Sequence, residues 1–125
     1  MTDRQRVLDA LEGLVDAFNA HDIDRIMSFF AEDCALQMPR GPEPHGLRAE
    51  GREEVRATLM TRFDGLPDVH YGDATHHVDG DVGISKWLLT GTTPAGGRVK
   101  VRGCDFYHFR DGKVVLKDSY WKIVG

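Results

Sequence analysis

Two cysteines, Cys34 and Cys104, are too few for a disulfide framework, so a packed core must hold this chain together. In a reducing compartment they read as buried thiols. No apolar run approaches the length of a membrane span or a signal peptide. The opening, MTDRQRVLDALEGL, is charged and amphipathic, and a cytoplasmic location is expected. There is no basic excess either: 16 Lys and Arg stand against 20 Asp and Glu, a formal net charge of −4. That argues against nucleic acid as a partner, and nothing suggests a membrane surface. No repeat, low-complexity tract, charge block or linker interrupts the 125 residues, so one domain over 1–125 is expected.

Phosphate-binding and metal signatures are missing as well. GTTPAGG lies between two predicted strands and lacks the lysine of a P-loop, so no nucleotide is expected. Six histidines are present. On a regular strand His70 and His76 would share a face, but six residues at ~3.3 Å each put them about 20 Å apart, too far to share an ion. His76 and His77 point to opposite faces. No metal and no other cofactor is expected. His70 or His76 remains a candidate single acid–base group lining a cavity, with His76 taken as the ligand contact, against the plainer reading of a surface or satisfied core histidine.

What is present is a clear order of elements. Thr2 and Gln5 have capping-box spacing, and Val7, Leu8, Leu11, Leu14, Val15 and Phe18 form a helical stripe. NAHD ends it, and Asp22 can cap a short second helix with Ile23, Ile26, Met27 and Phe30 on one face. The strand CALQM follows, then the rigid loop PRGPEPHG. A third helix is predicted over about 52–63, with Val55, Leu59 and Phe63 inward and Gly65 as its stop. Strands are predicted at about 69–78, 82–92, 98–109 and 113–124, with turns at DGD, TPAGG and DG. Helices followed by an antiparallel meander imply an α+β fold.

AFNAHDIDRIMSFFAEDCAL, WLLTGTTPAGG and GCDFYHFRDGKVV resemble the SnoaL-like branch of the nuclear transport factor 2-like superfamily, and the resemblance covers nearly the whole chain. It implies a cone: a curved antiparallel sheet wrapped by three helices, with a pocket at the wide end. Members include polyketide cyclases, ketosteroid isomerase, dehydratases, epoxide hydrolases and non-catalytic binding modules, so the fold alone assigns no activity. Compared with the isomerase, Met38 stands where the general-base aspartate would be. Leu14 stands in place of the helix tyrosine, and Asp105 matches the aspartate donor. Met38 cannot abstract a proton, which argues against steroid isomerisation by that mechanism.

RGCDFYHFRDGKVVLKDSYWKI places one aspartate in each strand of the last hairpin, though aspartate is a poor strand former. With a two-residue turn at Asp111-Gly112, Asp105 pairs with Asp118 and shares its face with Tyr107 and Tyr120. With a three-residue turn the last strand slips by one, and Asp105 faces Lys117, Ser119 and Trp121. The first register sets Val114 and Leu116 beside Phe109 and Tyr107 and is preferred. It would leave Phe106, Cys104, Val115 and Trp121 as an apolar outer face, suited to a homodimer of the kind the resemblance implies. Burial and an opposing Asp118 would both raise the pKa of Asp105, making it a neutral hydrogen-bond donor. The sequence reading is therefore a binder of a small, largely apolar organic molecule. If catalytic, it is a cofactor-free isomerase, cyclase or dehydratase; a non-catalytic binding or dimerisation module is the alternative. Asp105 and Asp118 are the catalytic candidates. Trp87, Tyr107, Tyr120, His76, Met38 and Phe30 are the ligand contacts. Trp87 falls opposite Gly103 if the TPAGG loop closes symmetrically.

Overall fold

The structure, a computed structural model, describes residues 3–125. The first helix, α1 (Asp3–Asn19), buries Val7, Leu11, Leu14, Ala17 and Phe18, the stripe its periodicity predicts. The expected cap, Thr2, lies outside the described residues. Two side chains fasten the end of α1 to the sheet. The Asn19 amide donates to the Tyr71 carbonyl at 3.0 Å and accepts from the Tyr71 N–H at 2.8 Å. His21, in the left-handed region at φ 54°, places Nε2 2.8 Å from the Val69 carbonyl. The short α2 (Ile23–Ser28) is capped by the Asp22 carboxylate, which accepts from the Arg25 N–H at 3.1 Å. α3 (Arg52–Gly65) buries Val55 and Leu59.

Six strands make one curved, open sheet in the order β2-β1-β6-β5-β4-β3. β3 (His70–Asp79), β4 (Val82–Thr92), β5 (Arg98–Arg110) and β6 (Lys113–Trp121) form the expected antiparallel meander. β1 (Phe30–Gln37) runs parallel to β6 and begins four residues before the predicted CALQM strand. Phe30 is therefore the first residue of a strand, not the last of a helix. The edge strand β2 (Arg48–Glu50) has no signal in the sequence pattern; three residues are too few to show a period.

The helices cover the concave face of the sheet. α1 approaches β4 so closely that a Cβ at Gly83 would sit 2.9 Å from atoms of both Leu11 and Val7. The core there is tightly packed.

Two bulges decide which side chains point inward. In β3, Gly72 pairs with Leu88 and Thr75 with Lys86, so Asp73 and Ala74 together oppose Trp87, with Asp73 at φ 52°. The extra residue flips the alternation. Contrary to expectation, His70 and His76 lie on opposite faces: His70 pairs with outward Thr90, and His76 with buried Ser85.

The second bulge lies in the last hairpin. Arg110 pairs with Lys113 across Asp111 and Gly112, whose φ values of 51° and 78° suit a two-residue hairpin turn. Phe109 then pairs with Val114, but His108 pairs with Leu116, leaving Val115 as the bulged residue. The preferred turn is present, yet the preferred face is not. Beyond the bulge Asp105 pairs with Ser119, Tyr107 with Lys117 and Phe106 with Asp118.

Candidate functional site

Inward residues of β4, β5 and β6 meet beneath α1 and α3. The closure of the TPAGG loop sets Trp87 opposite Gly103, as the symmetric reading requires. The indole lies over that glycine so closely that a Cβ there would be 2.5 Å from Trp87 Cη2. In this position Trp87 Nε1 donates to Asp105 Oδ2 at 3.0 Å. Lys117 Nζ donates to Asp105 Oδ1 at 3.0 Å and to Ser119 Oγ at 2.7 Å; Ser119 Oγ donates to the same Oδ1 at 2.5 Å.

Asp105, Lys117 and Ser119 are only 4%, 6% and 5% exposed. Burying a charge is costly unless it is paired and hydrogen-bonded, and here the indole, hydroxyl and ammonium all converge on one carboxyl group. Three donors suit an ionised acceptor, not the neutral donor expected for Asp105. An ammonium has three N–H groups, and Lys117 spends two on Asp105 and Ser119. The rings of Phe18 and Tyr107 flank it at 5.5 and 5.9 Å.

A small cavity of about 10 Å³ opens against this cluster, enough for about one water. Asp105, Lys117, Ser119 and Trp87 form its polar side. Phe18, Leu59 and Tyr71 supply buried walls, while the half-buried Met38, Arg62 and Trp121 mark its mouth. Arg62, from the last turn of α3, lies with its guanidinium 4.4 Å from the centre of the Trp121 ring. Burial pushes the Tyr71 hydroxyl well above its ordinary pKa; nearby Arg62 pulls it partly back, and Asp105 adds to the rise. Both phenols here stay protonated, for burial drives Tyr107 up as well, with Asp105 and Tyr71 reinforcing it.

Of the eight residues singled out from the sequence, Asp105, Trp87 and Met38 line the cavity. Tyr107 is buried beside Lys117, and Phe30 is buried at the start of β1; neither reaches the cavity wall. His76 faces inward, but under α1, where Nδ1 lies 2.9 Å from Ser85 Oγ. Asp118 and Tyr120 are on the outer face, because the Val115 bulge turns them over. There the Tyr120 hydroxyl donates to Asp118 Oδ2 at 3.1 Å, and its ring meets Phe106 edge-on at 5.6 Å. Trp121, expected outside, is in the cavity wall.

Lys117 and Ser119 belonged to the slipped register. Arg62 and Tyr71 were missed. For Arg62 a signal existed: Val55, Leu59 and Arg62 are spaced four and three apart, so the arginine sits on the inward stripe of α3.

The SnoaL-like domain family matches residues 11–117, most of the chain. The chain belongs to that family. Solved structures agree on the fold. A candidate polyketide cyclase of Xanthomonas campestris pv. campestris superposes with a TM-score of 0.85 at 23% identity, over 97% of this chain and 93% of that one. An NTF2-like protein of unknown function from Mesorhizobium loti gives 0.78 at 23%, over 98% and 96%. TerC, co-crystallised with polyporic acid, gives 0.81 at 18%, over 94% and 92%. Among curated proteins none matches. No helix among the described residues is long and apolar enough to cross a membrane.

Proposed function

We propose that this SnoaL-like protein binds a small organic molecule at the wide end of its cone, with Lys117 as the group that meets a ligand oxygen. One observation carries this reading. A buried, ion-paired lysine keeps an N–H without an acceptor among the described residues, and it does so in a cavity wall where a leucine would pack at less cost. A bound carbonyl could take that N–H, and the ammonium would stabilise negative charge developing on its oxygen during isomerisation, cyclisation or dehydration without a cofactor. Asp105, Ser119 and Trp87 would hold Lys117 in place. The apolar body of the ligand would lie against Phe18, Leu59 and Trp121, with the flexible side chain of Met38 moving aside to admit it. A neighbour of the same fold co-crystallised with an organic acid is in keeping with this.

The size of the cavity favours a second reading, a binding module with no chemistry, since 10 Å³ holds no substrate without rearrangement. Both tryptophans of the chain line the cavity, so their fluorescence reports directly on occupancy. Mass spectrometry of co-purified small molecules supplies the ligand, and fluorescence titration with wild type and Lys117→Met tests the site. Turnover lost with Lys117→Met while binding survives supports the enzyme; binding without turnover in wild type supports the module. No ligand and no fluorescence response would sink both.

A second copy of the chain is the occupant we propose for the outer face of the sheet. Half-buried Cys104, Phe106 and Leu116 and exposed Tyr120 gather there, an apolar load that contacts commonly cover. A monomer by sedimentation at micromolar concentration would refute this.

A further inference from the structure

Arg62 is the charged group at the cavity that the ion-pair network leaves unspent. The guanidinium is half-buried, and it stacks on the Trp121 ring at 4.4 Å. Stacking occupies the flat face of the group, and its N–H edge also reaches the Tyr71 hydroxyl, a neutral partner that leaves the charge unmatched. The ion pairs among the described residues join Arg48 to Glu50, Arg52 to Glu32, Arg56 to Asp24, Arg110 to Asp33 and Lys117 to Asp105. Arg62 has no carboxylate partner among them. The other cation of the cavity, Lys117, is matched by Asp105, so the wall holds two positive charges and one negative. Its remaining polar groups, the Ser119 and Tyr71 hydroxyls and the Trp87 N–H, carry no charge to balance the second cation. Beside this lie the apolar surfaces of Phe18, Leu59 and Trp121.

From this imbalance we infer that the ligand is an organic anion, a carboxylate or an enolate of comparable charge, whose anionic head is held by the N–H edge of Arg62 at the mouth while its apolar body enters the cone. This rests on the proposed binding site and narrows it to a substrate class. A guanidinium fork suits two oxygens of one planar anionic group, and a charge-assisted bond in a poorly solvated mouth outweighs a neutral one.

The probe pair is cyclohexanecarboxylate and cyclohexanecarboxamide, alike in shape and silent in tryptophan fluorescence. Each is titrated into wild type, Arg62→Met and Arg62→Lys at low salt. In wild type the carboxylate should bind at least tenfold tighter than the amide, the range of a hydrogen bond to a charged group. Raising the salt should erode the preference. Arg62→Met keeps the stem on Trp121 and should bind both probes alike; Arg62→Lys should restore part of the preference, and it keeps the test open if the methionine variant folds poorly. Equal binding in wild type overturns the anion inference alone, as does a preference that survives both substitutions. Binding of neither probe overturns the cavity site itself, and the inference with it.

Discussion

The two faces of the β5–β6 hairpin treat the same residue type in opposite ways. On the inner face Asp105 is buried with an indole, a hydroxyl and an ammonium around one carboxyl group. On the outer face Asp118, one residue out of step, meets Tyr120 near solvent. In sequence the two aspartates look equivalent, each set among aromatics and β-branched residues. What separates them is the single extra residue at Val115. The lesson is that a bulge can decide the chemistry of a site without touching it.

Breaking the inner cluster should do the most damage. Lys117→Met leaves the Asp105 carboxylate buried and unpaired, which should cost about 3–5 kcal/mol in chemical denaturation. Asp105→Asn should destabilise too, for it strands the buried Lys117 ammonium. The double variant Asp105→Leu with Lys117→Met should recover most of the loss, to within about 1 kcal/mol of wild type or better. It should fold and fail to respond to ligand. A double variant as unstable as the single would mean the ion pair itself, not the stranded charge, supports the fold.

Gly103→Ala comes next. A methyl there would meet both Trp87 Cη2 and the Tyr120 carbonyl at 2.5 Å, a rigid wall on either side. Overpacking of this kind costs about 1–3 kcal/mol. Displacing the indole also loosens its bond to Asp105, so tryptophan emission should shift with the fall in Tm. Unchanged emission would show that the strand, not the indole, had moved.

These variants probe features unequally visible in the sequence. The α+β order, the stripe of α1, the Asp22 cap and the β4–β5 register were all legible. Local periodicity and turn chemistry determine them, and Trp87 opposite Gly103 follows from one loop length. The Val115 bulge was not legible. β6 loses register there against β5, between His108 and Phe109, and against β1, between Phe30 and Ala35. The offset is therefore shared with a strand about eighty residues earlier in the chain, and no pattern within the hairpin carries it. The Asp73 bulge, in the edge strand β3, likewise reversed the alternation, hiding Tyr71 and misplacing His70. Arg62 was hidden differently: a charged residue on an inward helical stripe reads as an exception until something apolar is seen beneath its stem.

His76 offers a smaller effect, expressed through pH. Burial under α1 pushes its pKa below the ordinary value; Glu12 and Asp16 on the helix work against that shift, and His77 adds to it. The unfolded state then binds the proton more readily. Stability should be full above ~6.5 and decline as the pH falls through that value towards the folded pKa. His76→Gln, which can still bond Ser85, should flatten this part of the curve. An unaltered slope between pH 5 and 7 would assign the acid sensitivity to other groups.

The smallest effect belongs to the outer face. The Asp118 carboxylate accepts from the Tyr120 hydroxyl, and this holds the phenol above its ordinary pKa. The neutral phenol is the form stabilised, so the contribution is present below the unfolded value of ~10 and fades as the pH climbs through the folded one. Exposed groups of this kind contribute little: Asp118→Asn should alter Tm hardly at all, whereas its inner counterpart Asp105→Asn should lower it markedly. What Asp118→Asn should change is the titration. Of the three tyrosines, Tyr71 and Tyr107 are buried, so Tyr120 ionises first. The earliest rise in tyrosinate absorbance should therefore move down towards ~10 in the variant. If it does not move, the outer contact is absent in solution. If in wild type it moves upward with protein concentration, a second chain is covering the face, and the contrast between the two aspartates narrows.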